Sequence, residues 1–523
     1  MLKNKKVSII IPVYNGSNYL KDAIDSALNQ TYENIEIIVV NDGSNDSGKT
    51  REVALSYGDK IRYFEKENGG VSTALNYGIE KMEGEYFSWL SHDDMYYPEK
   101  VEKQILELKK YDENTILYSD FSLVDKKGNK ISDIHLDNAM LTKKPDYAVL
   151  RGAIGGITLL IPKKAFDDCG YFDVSMRCVQ DYDMWFRLLD KYTFVHMTDI
   201  LSMTRIHSLQ DSNTSPRVLS EGNLLWKKLT FEYPKAKMIS YEGSEYLFYR
   251  EMAEYLDIST PYKEAAIEVL DYAYKLRDKQ KNKVDKKSVS VVIVDNGNVE
   301  DINKTLDNLK NQTFKTIKYF IEGRNKVKDV STLEKRELIL KNINTDFYVF
   351  VSAGSTFEDR WLYNQILELI CTDKALVVSD YCRNNKDSMT DNFRILSTVS
   401  IYGILFNNKY KTDYSSDLMY IYNLIKLGGS FVTEEKYFLS EACYDSFSNS
   451  LDYLKILIEE GDYSDYDIAS LCYDIACSYN DNRKSGKKIY MYHDCAKYEN
   501  LSNSRSFKLF EKYIDLKNKI RKR

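Results

Sequence analysis

The sequence VSIIIPVYNG, residues 7–16, decides how the first part of the chain folds. Its run of β-branched residues ends in Pro12 and turn-forming residues, which is typical of a strand buried on both faces. Apolar periodicity predicts helices at 18–30 and 71–82 and further buried strands at 35–42, 61–66 and 84–90. Strands separated by helices of this length form βαβ units, so the sequence predicts an α/β domain with a mainly parallel sheet.

The composition is that of a soluble globular protein with several domains. The chain has 523 residues, of which 43% are hydrophobic and 29% charged, and its net charge is −6. A negative net charge argues against a nucleic-acid partner. The basic end KNKIRKR, 517–523, is an exception, for which a solvated tail and peripheral docking to a membrane or partner both stay open.

Three features predict a cytoplasmic protein without a transmembrane segment. The apolar run near the start is short and is interrupted by Pro12, which argues against a signal peptide. No stretch of 18 consecutive apolar residues occurs anywhere in the chain. The eight cysteines include no Cys-x-x-Cys pair, so we expect reduced thiols.

The beginning of the chain recurs in its second half. Setting Val7 against Val289 without a gap aligns 7–16 with VSVVIVDNGN and 28–40 with KNQTFKTIKYFIE. After a shorter connection in the second copy, GEYFSWLSHDD at 84–94 matches TDFYVFVSAGS at 345–355. This self-similarity predicts an internal duplication. The tyrosine-rich sequence between the copies predicts long amphipathic helices, and the sequence from 441 to the end also has a helical pattern.

Polar residues follow the predicted strands at the sheet edge where parallel α/β sheets bind ligands. Asp93 and Asp94 after the strand 84–90 could hold a divalent cation, or could only cap the following helix. Asp42 lies in a sequence, NDGSND, that equally suits a simple turn. The glycine-rich ENGGVSTALNYG, 67–78, permits close approach of an anion to backbone amides, although it has no Walker motif. The segment QDYDMWFRLL, 180–189, offers carboxylates and an indole for a reaction site, or is an ordinary amphipathic helix. The histidine of RIH, 205–207, could be a ligand or a structural residue.

Taken together, these segments resemble the family 2 glycosyltransferases over about residues 5–212, in the family's order and spacing. The resemblance implies the GT-A, or nucleotide-diphospho-sugar transferase, fold: a Rossmann-like α/β domain with a mainly parallel sheet. It implies a catalytic domain at 1–216, followed by a helical spacer at 217–285. A second, degenerate GT-A-like α/β domain at 286–440 and a helical C-terminal region at 441–523 complete the predicted organisation.

The resemblance also assigns roles to individual residues. Those implied to bind the nucleotide are Pro12, Val13, Tyr14, Asn15, Asp42, Asn68, Gly70, Asp93 and Arg205. Asp93, Asp94 and His207 would hold Mn²⁺ or Mg²⁺, Asp181 would be the catalytic base, and Trp185 would stack on the acceptor. Two departures from the family pattern stand out: Ser91-His92 precedes the acidic pair where many members have a further aspartate, and Gln180 replaces a glutamate before Asp181.

We therefore expect a metal-dependent inverting glycosyltransferase with UDP-GlcNAc as its UDP-sugar donor. The expected acceptor is a hydroxyl of a bacterial surface glycan precursor or of a surface protein such as flagellin, and a homodimer is possible. The alternative is a non-catalytic nucleotide-sugar-binding or scaffold protein of a glycan assembly complex. A nucleotidyltransferase is a third option, but PVYNGSNYL lacks the basic residues it would need.

The second copy acts as an internal comparison. Arg324 replaces Asp42, Gly354 and Ser355 replace Asp93 and Asp94, and no residue matches His207, while Asp417 is a possible match for Asp181. We expect this domain to be catalytically inactive and to serve as a scaffold, acceptor platform or dimer surface. Two active sites are the less favoured alternative.

Overall fold

The structure is a computed structural model that describes residues 5–207, 217–295, 297–323, 332–381, 404–410 and 430–438. The predicted C-terminal helical region at 441–523, and the residues Arg324 and Asp417, lie outside the described residues. None of the helices within those ranges is both long and apolar enough to cross a lipid bilayer.

A mainly parallel five-stranded sheet forms the centre of the first part of the chain, with strand order β3-β2-β1-β4-β8. The first four strands in chain order are parallel, and only β8 is antiparallel to its neighbour β4. The strands are β1 Val7–Val13, β2 Ile35–Asn41, β3 Arg62–Glu65, β4 Tyr86–Trp89 and β8 Ile161–Pro162. All seven residues of β1 are buried, as the apolar run predicted, because helices cover both faces of a parallel sheet.

Helices alternate with these strands, and a smaller sheet stands beside them. The helices are α1 Leu20–Leu28, α2 Lys49–Leu55, α3 Val71–Lys81, α4 Lys100–Glu107, α5 Asn138–Lys143, α6 Tyr147–Leu150, α7 Lys164–Cys169 and α8 Gln180–Leu188. The second sheet has the order β5-β9-β6-β7, with β5 Met95–Tyr96, β6 Thr115–Val124, β7 Lys130–Ile134 and β9 Thr193–Arg205. Strand β9 ends at Arg205, the first residue of the RIH segment, and pairs with β5 directly after the turn that follows β4.

Close packing between α3 and β1 depends on a glycine. A Cβ atom at Gly78 would lie 2.5 Å from Cγ2 of Ile10, closer than real carbon atoms approach. The helix carries the glycine-rich segment at its N-terminus, so this contact brings that segment against the central strand. Gly78 therefore has a packing role rather than a ligand-binding one.

Between the two α/β sheets the chain is helical, as predicted. The helices are α9 Arg217–Glu232, α10 Lys235–Glu242, α11 Glu245–Ser259, α12 Lys263–Asp278 and α13 Lys281–Val284. Contacts divide the chain into two compact units, Met1–Glu242 with Phe248–Ala273, and Gly243–Leu247 with Tyr274–Arg523. The four-part division of the chain stays a prediction.

The second unit contains a seven-stranded sheet of order β11-β10-β12-β15-β14-β16-β13. Its strands are β10 Val289–Val294, β11 Ile317–Glu322, β12 Phe347–Ser352, β13 Thr356–Phe357, β14 Leu376–Tyr381, β15 Ile404–Asn407 and β16 Ser430–Phe438. The helices described between and after these strands are α14 Val299–Lys310, α15 Thr332–Asn342 and α16 Trp361–Thr372.

The register of the strands shows that this sheet repeats the first one. In the first sheet Val7 pairs with Ile35 on one side and Tyr86 on the other. In the second, Val289 pairs with Ile317 and Phe347, in the same parallel sense. These are the residues that the sequence match aligns with Val7, Ile35 and Tyr86. The predicted degenerate GT-A-like repeat is confirmed as a repeated α/β sheet.

The shared Asn-Gln-Thr-aromatic sequence has a structural explanation. Nε2 of Gln30 donates to the carbonyl of Tyr97 (2.9 Å), and its Oε1 accepts from the amide of Val101 (3.1 Å). Gln312 makes the equivalent bonds to Glu358 (2.6 Å) and Leu362 (3.1 Å). In each copy the buried amide thereby fixes the helix that follows the strand-end turn. This part of the repeat is retained for folding.

Candidate active site

The turn at 91–94 follows β4 and ends where β5 begins. The amide of Asp94 donates to the carbonyl of Ser91 (3.1 Å), which closes the turn. His92 packs over Gly16, where a side chain would overlap its ring. Asp93 and Asp94 therefore lie at the carboxyl end of the central sheet, as the sequence predicted.

The two aspartates of this turn face different partners. Oδ2 of Asp93 lies 2.8 Å from Nε2 of His207, just beyond the end of β9. Oδ1 of Asp94 accepts from the backbone amide of Arg205 (2.9 Å). Burial, and then the neighbouring charge of Asp93, raise the pKa of Asp94 well above its usual range. Asp93 thus pairs with the predicted histidine, while Asp94 anchors the strand that carries it.

Arg205 lies beneath the turn and is not exposed to a diphosphate, which corrects the prediction made from the sequence. Its side chain is 1% exposed. Nε donates to the carbonyl of Asp93 (2.8 Å), Nη2 donates to Asp22 (2.9 Å), and the guanidinium lies 4.4 Å from the ring of Tyr19. These contacts hold the acidic turn in place from the protein interior.

The structure brings two of the three predicted metal ligands, Asp93 and His207, into contact. Within the described ranges, no group of three or more His, Cys, Asp or Glu side chains is arranged to hold a metal ion. Asp93 and His207 nevertheless offer a carboxylate oxygen and an imidazole nitrogen in contact. Mg²⁺ commonly uses one or two carboxylates together with substrate phosphates, and a carboxylate–imidazole–phosphate set also suits Mn²⁺. The residues present therefore fit a cation shared with a diphosphate.

Strand β1 ends in a corner that exposes one aromatic ring. Tyr14 is 44% exposed, whereas the side chains of Pro12 and Val13 are buried. Asn15 adopts a left-handed backbone (φ 51°), and its side chain exchanges hydrogen bonds with Asn45 (2.7 and 2.9 Å). The side chains of Pro12 and Val13 are therefore closed to a nucleotide, and the stacking of the exposed Tyr14 ring on a base stays a prediction.

Asp42, at the end of β2, organises the glycine-rich segment. Its carboxylate is paired with Nζ of Lys66 (2.6 Å) and accepts from the amides of Gly69 (3.1 Å) and Gly70 (2.6 Å). Asp42 is only 3% exposed, so its carboxylate is almost completely enclosed in this structure. The structure gives it a role in shaping the loop, and contact with a nucleobase stays a prediction.

The helix that begins after Gly70 is tied to the loop that leads to Asp181. Nδ2 of Asn76 donates to the carbonyl of Phe172 (2.8 Å), and its Oδ1 accepts from the amide of the same residue (3.0 Å). Ser72 adds a bond to the carbonyl of Met176 (3.3 Å). Asn68 is exposed at the start of the segment, and Gly70 has a positive φ of 90°.

Asp181 lies in the first turn of α8 and is partly buried. Burial raises the pKa of Asp181 to about 6, despite an opposing hydrogen bond from the amide of Tyr182 (2.9 Å). A carboxylate with this pKa is suited to accept a proton near neutral pH. The adjacent Gln180 is 5% exposed, and its Oε1 has no hydrogen-bond partner among the described residues.

Trp185 belongs to the hydrophobic core, which corrects its predicted stacking on an acceptor. The side chain is 0% exposed and packs edge-on against Phe172, with ring centroids 5.8 Å apart. The helix pattern alone left both roles open, since a tryptophan four residues after Asp181 lies on the same helix face whether that face is buried or not. Only the surrounding aromatic residues decide it.

The tyrosines of the Asp181 region were not identified by any sequence motif. Burial, and then the negative charge of Asp181, raise the pKa of Tyr262. The ring of Tyr262 stacks on Trp226 at 5.1 Å, and the hydroxyl of Tyr182 bonds both backbone groups of Ile154 (2.9 and 2.8 Å). Tyr255 packs next to this group, where a Cβ at Gly152 would lie 2.8 Å from its hydroxyl. The tyrosine-rich composition of the helices was the available signal.

Comparison with known proteins places this site in a family. Residues 8–159 match the family described as Glycosyl transferase family 2. An uncharacterized glycosyltransferase of Rickettsia typhi is 49% identical over 251 residues, which cover 47% of this chain and 78% of the relative. The chain belongs to the family 2 glycosyltransferases. An uncharacterized glycosyltransferase of Rickettsia conorii is 42% identical over 377 residues, or 67% of this chain, and the match spans 61% of that relative's length. A solved structure, S. aureus TarS, aligns with 16% identity and a TM-score of 0.39 over 54% of this chain and 47% of TarS.

In this family 2 glycosyltransferase, the second sheet repeats the acidic turn without its acidic side chains. The amide of Ser355 donates to the carbonyl of Ser352 (3.2 Å), as that of Asp94 does to Ser91. Gly354, at the position of Asp93, has a φ of 89°. The turn therefore forms without carboxylates, so folding alone does not account for Asp93 and Asp94.

Proposed function

We propose that this chain is a metal-dependent inverting glycosyltransferase that moves GlcNAc from UDP-GlcNAc to an acceptor hydroxyl. The observation that carries the proposal is the contact of Asp93 with His207, 2.8 Å apart, at the strand ends where the sheet also presents Tyr14. The contact supports a diphosphate site because it brings together two groups that can share a cation with phosphate oxygens.

In the proposed reaction Asp181 is the base. Its carboxylate accepts the proton of the acceptor hydroxyl while that oxygen forms a bond to the anomeric carbon of the donor sugar. The bond from this carbon to the diphosphate breaks on the opposite face, so the configuration inverts and the diphosphate departs with the electron pair. The raised pKa of Asp181, about 6, supports this role, because the group still holds a proton firmly yet is ionised at neutral pH.

Asp93 and His207 would hold Mn²⁺ or Mg²⁺. When bound, the cation would offset the negative charge that grows on the departing diphosphate. Asp94 and Arg205 keep the turn in position through the hydrogen bond between the Arg205 amide and Asp94. Asp42 and its bonded glycine amides shape the loop beside the nucleotide.

The acceptor would lie between Asp181 and the half-buried tyrosines 182, 255 and 262. A buried amide oxygen without a partner costs about 1–3 kcal/mol, and an acceptor or donor hydroxyl could satisfy Oε1 of Gln180. We propose a surface glycan precursor or Ser/Thr side chains of a surface protein such as flagellin as the acceptor. We also propose a reducing, cytoplasmic setting, since the thiols of Cys169 and Cys371 form no disulfide within the described residues.

A hydrolysis screen tests the proposal. The wild-type chain is incubated with Mn²⁺ and UDP-GlcNAc, UDP-glucose, UDP-galactose, GDP-mannose or dTDP-glucose, and released nucleotide is measured. We expect UDP release, largest for UDP-GlcNAc, and loss of release in Asp93→Asn. Asp59→Asn, at an exposed turn, serves as the matched control.

The same screen separates the enzyme from a non-catalytic nucleotide-sugar-binding or scaffold protein. That alternative predicts donor binding in calorimetry with no turnover, and equal behaviour of wild type and Asp181→Asn. Turnover of a different donor would replace only the sugar or nucleotide in the proposal. If the wild-type chain neither binds nor turns over any of these donors, the proposed function is overturned.

A further inference from the structure

An exposed arginine lies directly over the glycine-rich segment. Nη1 of Arg177 donates to the carbonyl of Gly69, and a side chain at Gly70 would overlap the guanidinium. Gly70 has a positive φ and no Cβ, so the arginine can approach the backbone here. Within the described residues, no carboxylate is paired with the guanidinium of Arg177.

The backbone of Arg177 is held in place by the helical region. Oε2 of Glu221, on α9, accepts from the amides of both Arg177 and Cys178, each at 2.9 Å. Together with the bonds from Asn76 to Phe172 and from Ser72 to Met176, this bond fixes residues 172–178 at several points. The guanidinium is thus an exposed cation on an anchored loop rather than on a free one.

Other basic side chains around the site have acidic partners of their own. Arg205 is buried and bonded to Asp22, and Lys66 is paired with Asp42 at 2.6 Å. An arginine without an acidic partner retains its full charge for a ligand, and its planar fork matches two phosphate oxygens. Because the loop at Gly69–Gly70 adjoins Asp42 at the end of β2, the charge of Arg177 lies beside the proposed nucleotide site.

We infer that Arg177 binds the diphosphate of the nucleotide-sugar donor. This inference rests on the proposed function, since it requires an anionic donor at the glycine-rich segment. It gives Arg177 the phosphate contact that the sequence had suggested for Arg205. It also gives Gly70 a specific purpose, which is to leave room for the guanidinium.

Calorimetric titration with UDP and with uridine tests the inference, because the two probes differ only in the diphosphate. We expect Arg177→Gln to weaken UDP binding by about 10- to 100-fold while uridine binding stays unchanged, as for the loss of a hydrogen bond to a charged group. Arg177→Lys should recover part of the loss, since it keeps the charge but not the fork. The difference between wild type and Arg177→Gln should shrink as salt is raised.

Arg51→Gln is the matched control, because Arg51 is an exposed arginine on α2 whose partner is Glu65. Equal weakening of UDP and uridine in Arg177→Gln would overturn the inference in favour of a structural role, as would unchanged UDP binding. If wild type binds UDP but Arg177→Gln binds it equally well, only this inference fails. If wild type binds neither probe and turns over no donor, the proposed function fails with it.

Discussion

Nε2 of His207 lies 2.8 Å from Oδ2 of Asp93, although 114 residues separate the two in the chain. One residue follows β4 of the central sheet, and the other follows β9 of the smaller sheet. Arg205, buried beneath the acidic turn, donates to the carbonyl of Asp93 and so ties the two sheet edges together. The contact is a property of the tertiary structure with direct consequences for activity.

The Asp93–His207 pair predicts a shared dependence on metal. Asp93→Asn and His207→Ala should each lower Mn²⁺-stimulated donor hydrolysis by about 10- to 100-fold, and EDTA should abolish it in the wild type. The double variant should lose little more than either single variant, because both groups act as one unit. Rates measured against Mn²⁺ concentration check this; strictly additive losses, or wild-type metal dependence in either variant, would contradict it.

Asp181 predicts a pH profile for sugar transfer. Its pKa of about 6 means that the carboxylate is mostly protonated at pH 5 and mostly ionised at pH 7. Only the ionised form can accept the acceptor proton, so the rate should rise with pH through about 6 and then level off. Asp181→Asn should lower the rate by about 10²- to 10⁴-fold and remove the inflection. Asp190→Asn, at an exposed position after α8, is the control. If the inflection survives in Asp181→Asn, it belongs to another titrating group.

Lys100 predicts a pH dependence of stability. Its side chain is 0% exposed, and burial lowers its pKa from 10.5 to about 7, although Nζ bonds Ser88 (3.0 Å) and Gln104 (2.8 Å). Between pH 7 and 10.5 the unfolded chain binds this proton and the folded chain releases it, so stability rises with pH across that window. The titration of Lys100 changes the free energy of unfolding by up to about 1.4 kcal/mol per pH unit in this window. Below pH 7 burial of the charged Lys100 destabilises the fold by its full amount.

Lys100→Met should remove this slope. Urea unfolding at several pH values between 7 and 10 gives the free energy of unfolding of the variant and of wild type. The difference between the two proteins should change with pH. The equivalent position in the second copy is the buried Trp361, which shows that the fold accepts an uncharged side chain there. An identical slope in both proteins would show that Lys100 stays charged when buried.

Gln30 and Gln312 predict matched losses of stability in the two copies. Changing either to Leu leaves a buried amide and a carbonyl unpaired, at a cost of about 1–3 kcal/mol for each unsatisfied group. Both variants should therefore lower the unfolding temperature, and Asn29→Ala and Asn311→Ala, at neighbouring exposed positions, should not. Calorimetry checks this, and a loss confined to one copy would mean that the two turns are not equivalent.

Much of the fold could be predicted from local patterns. The strands β1 to β4 and the helices α1 and α3 formed where the periodicity placed them, since burial on two faces or on one helix face produces a pattern in consecutive residues. The duplication could also be predicted from the sequence. The residues that the sequence match aligns occupy the same register in the two sheets. The acidic turn also lies where a parallel sheet places its ligands.

Side-chain exposure could not be predicted in the same way. Trp185 and Arg205 matched the family pattern in sequence, yet the structure buries one against Phe172 and the other beneath the acidic turn. Arg177, Glu221 and Tyr262 carried no motif at all. Their positions depend on how the helical region packs on residues far away in the chain.

Residue order alone was therefore enough to establish the α/β sheets, their repetition and the location of the site at the strand ends. Tertiary structure alone decided that Asp93 meets His207, that Arg205 is enclosed and that Arg177 is exposed over Gly70. The physical reason is that strands and helices arise from contacts between near neighbours in sequence, whereas burial and charge pairing depend on groups that only folding brings together.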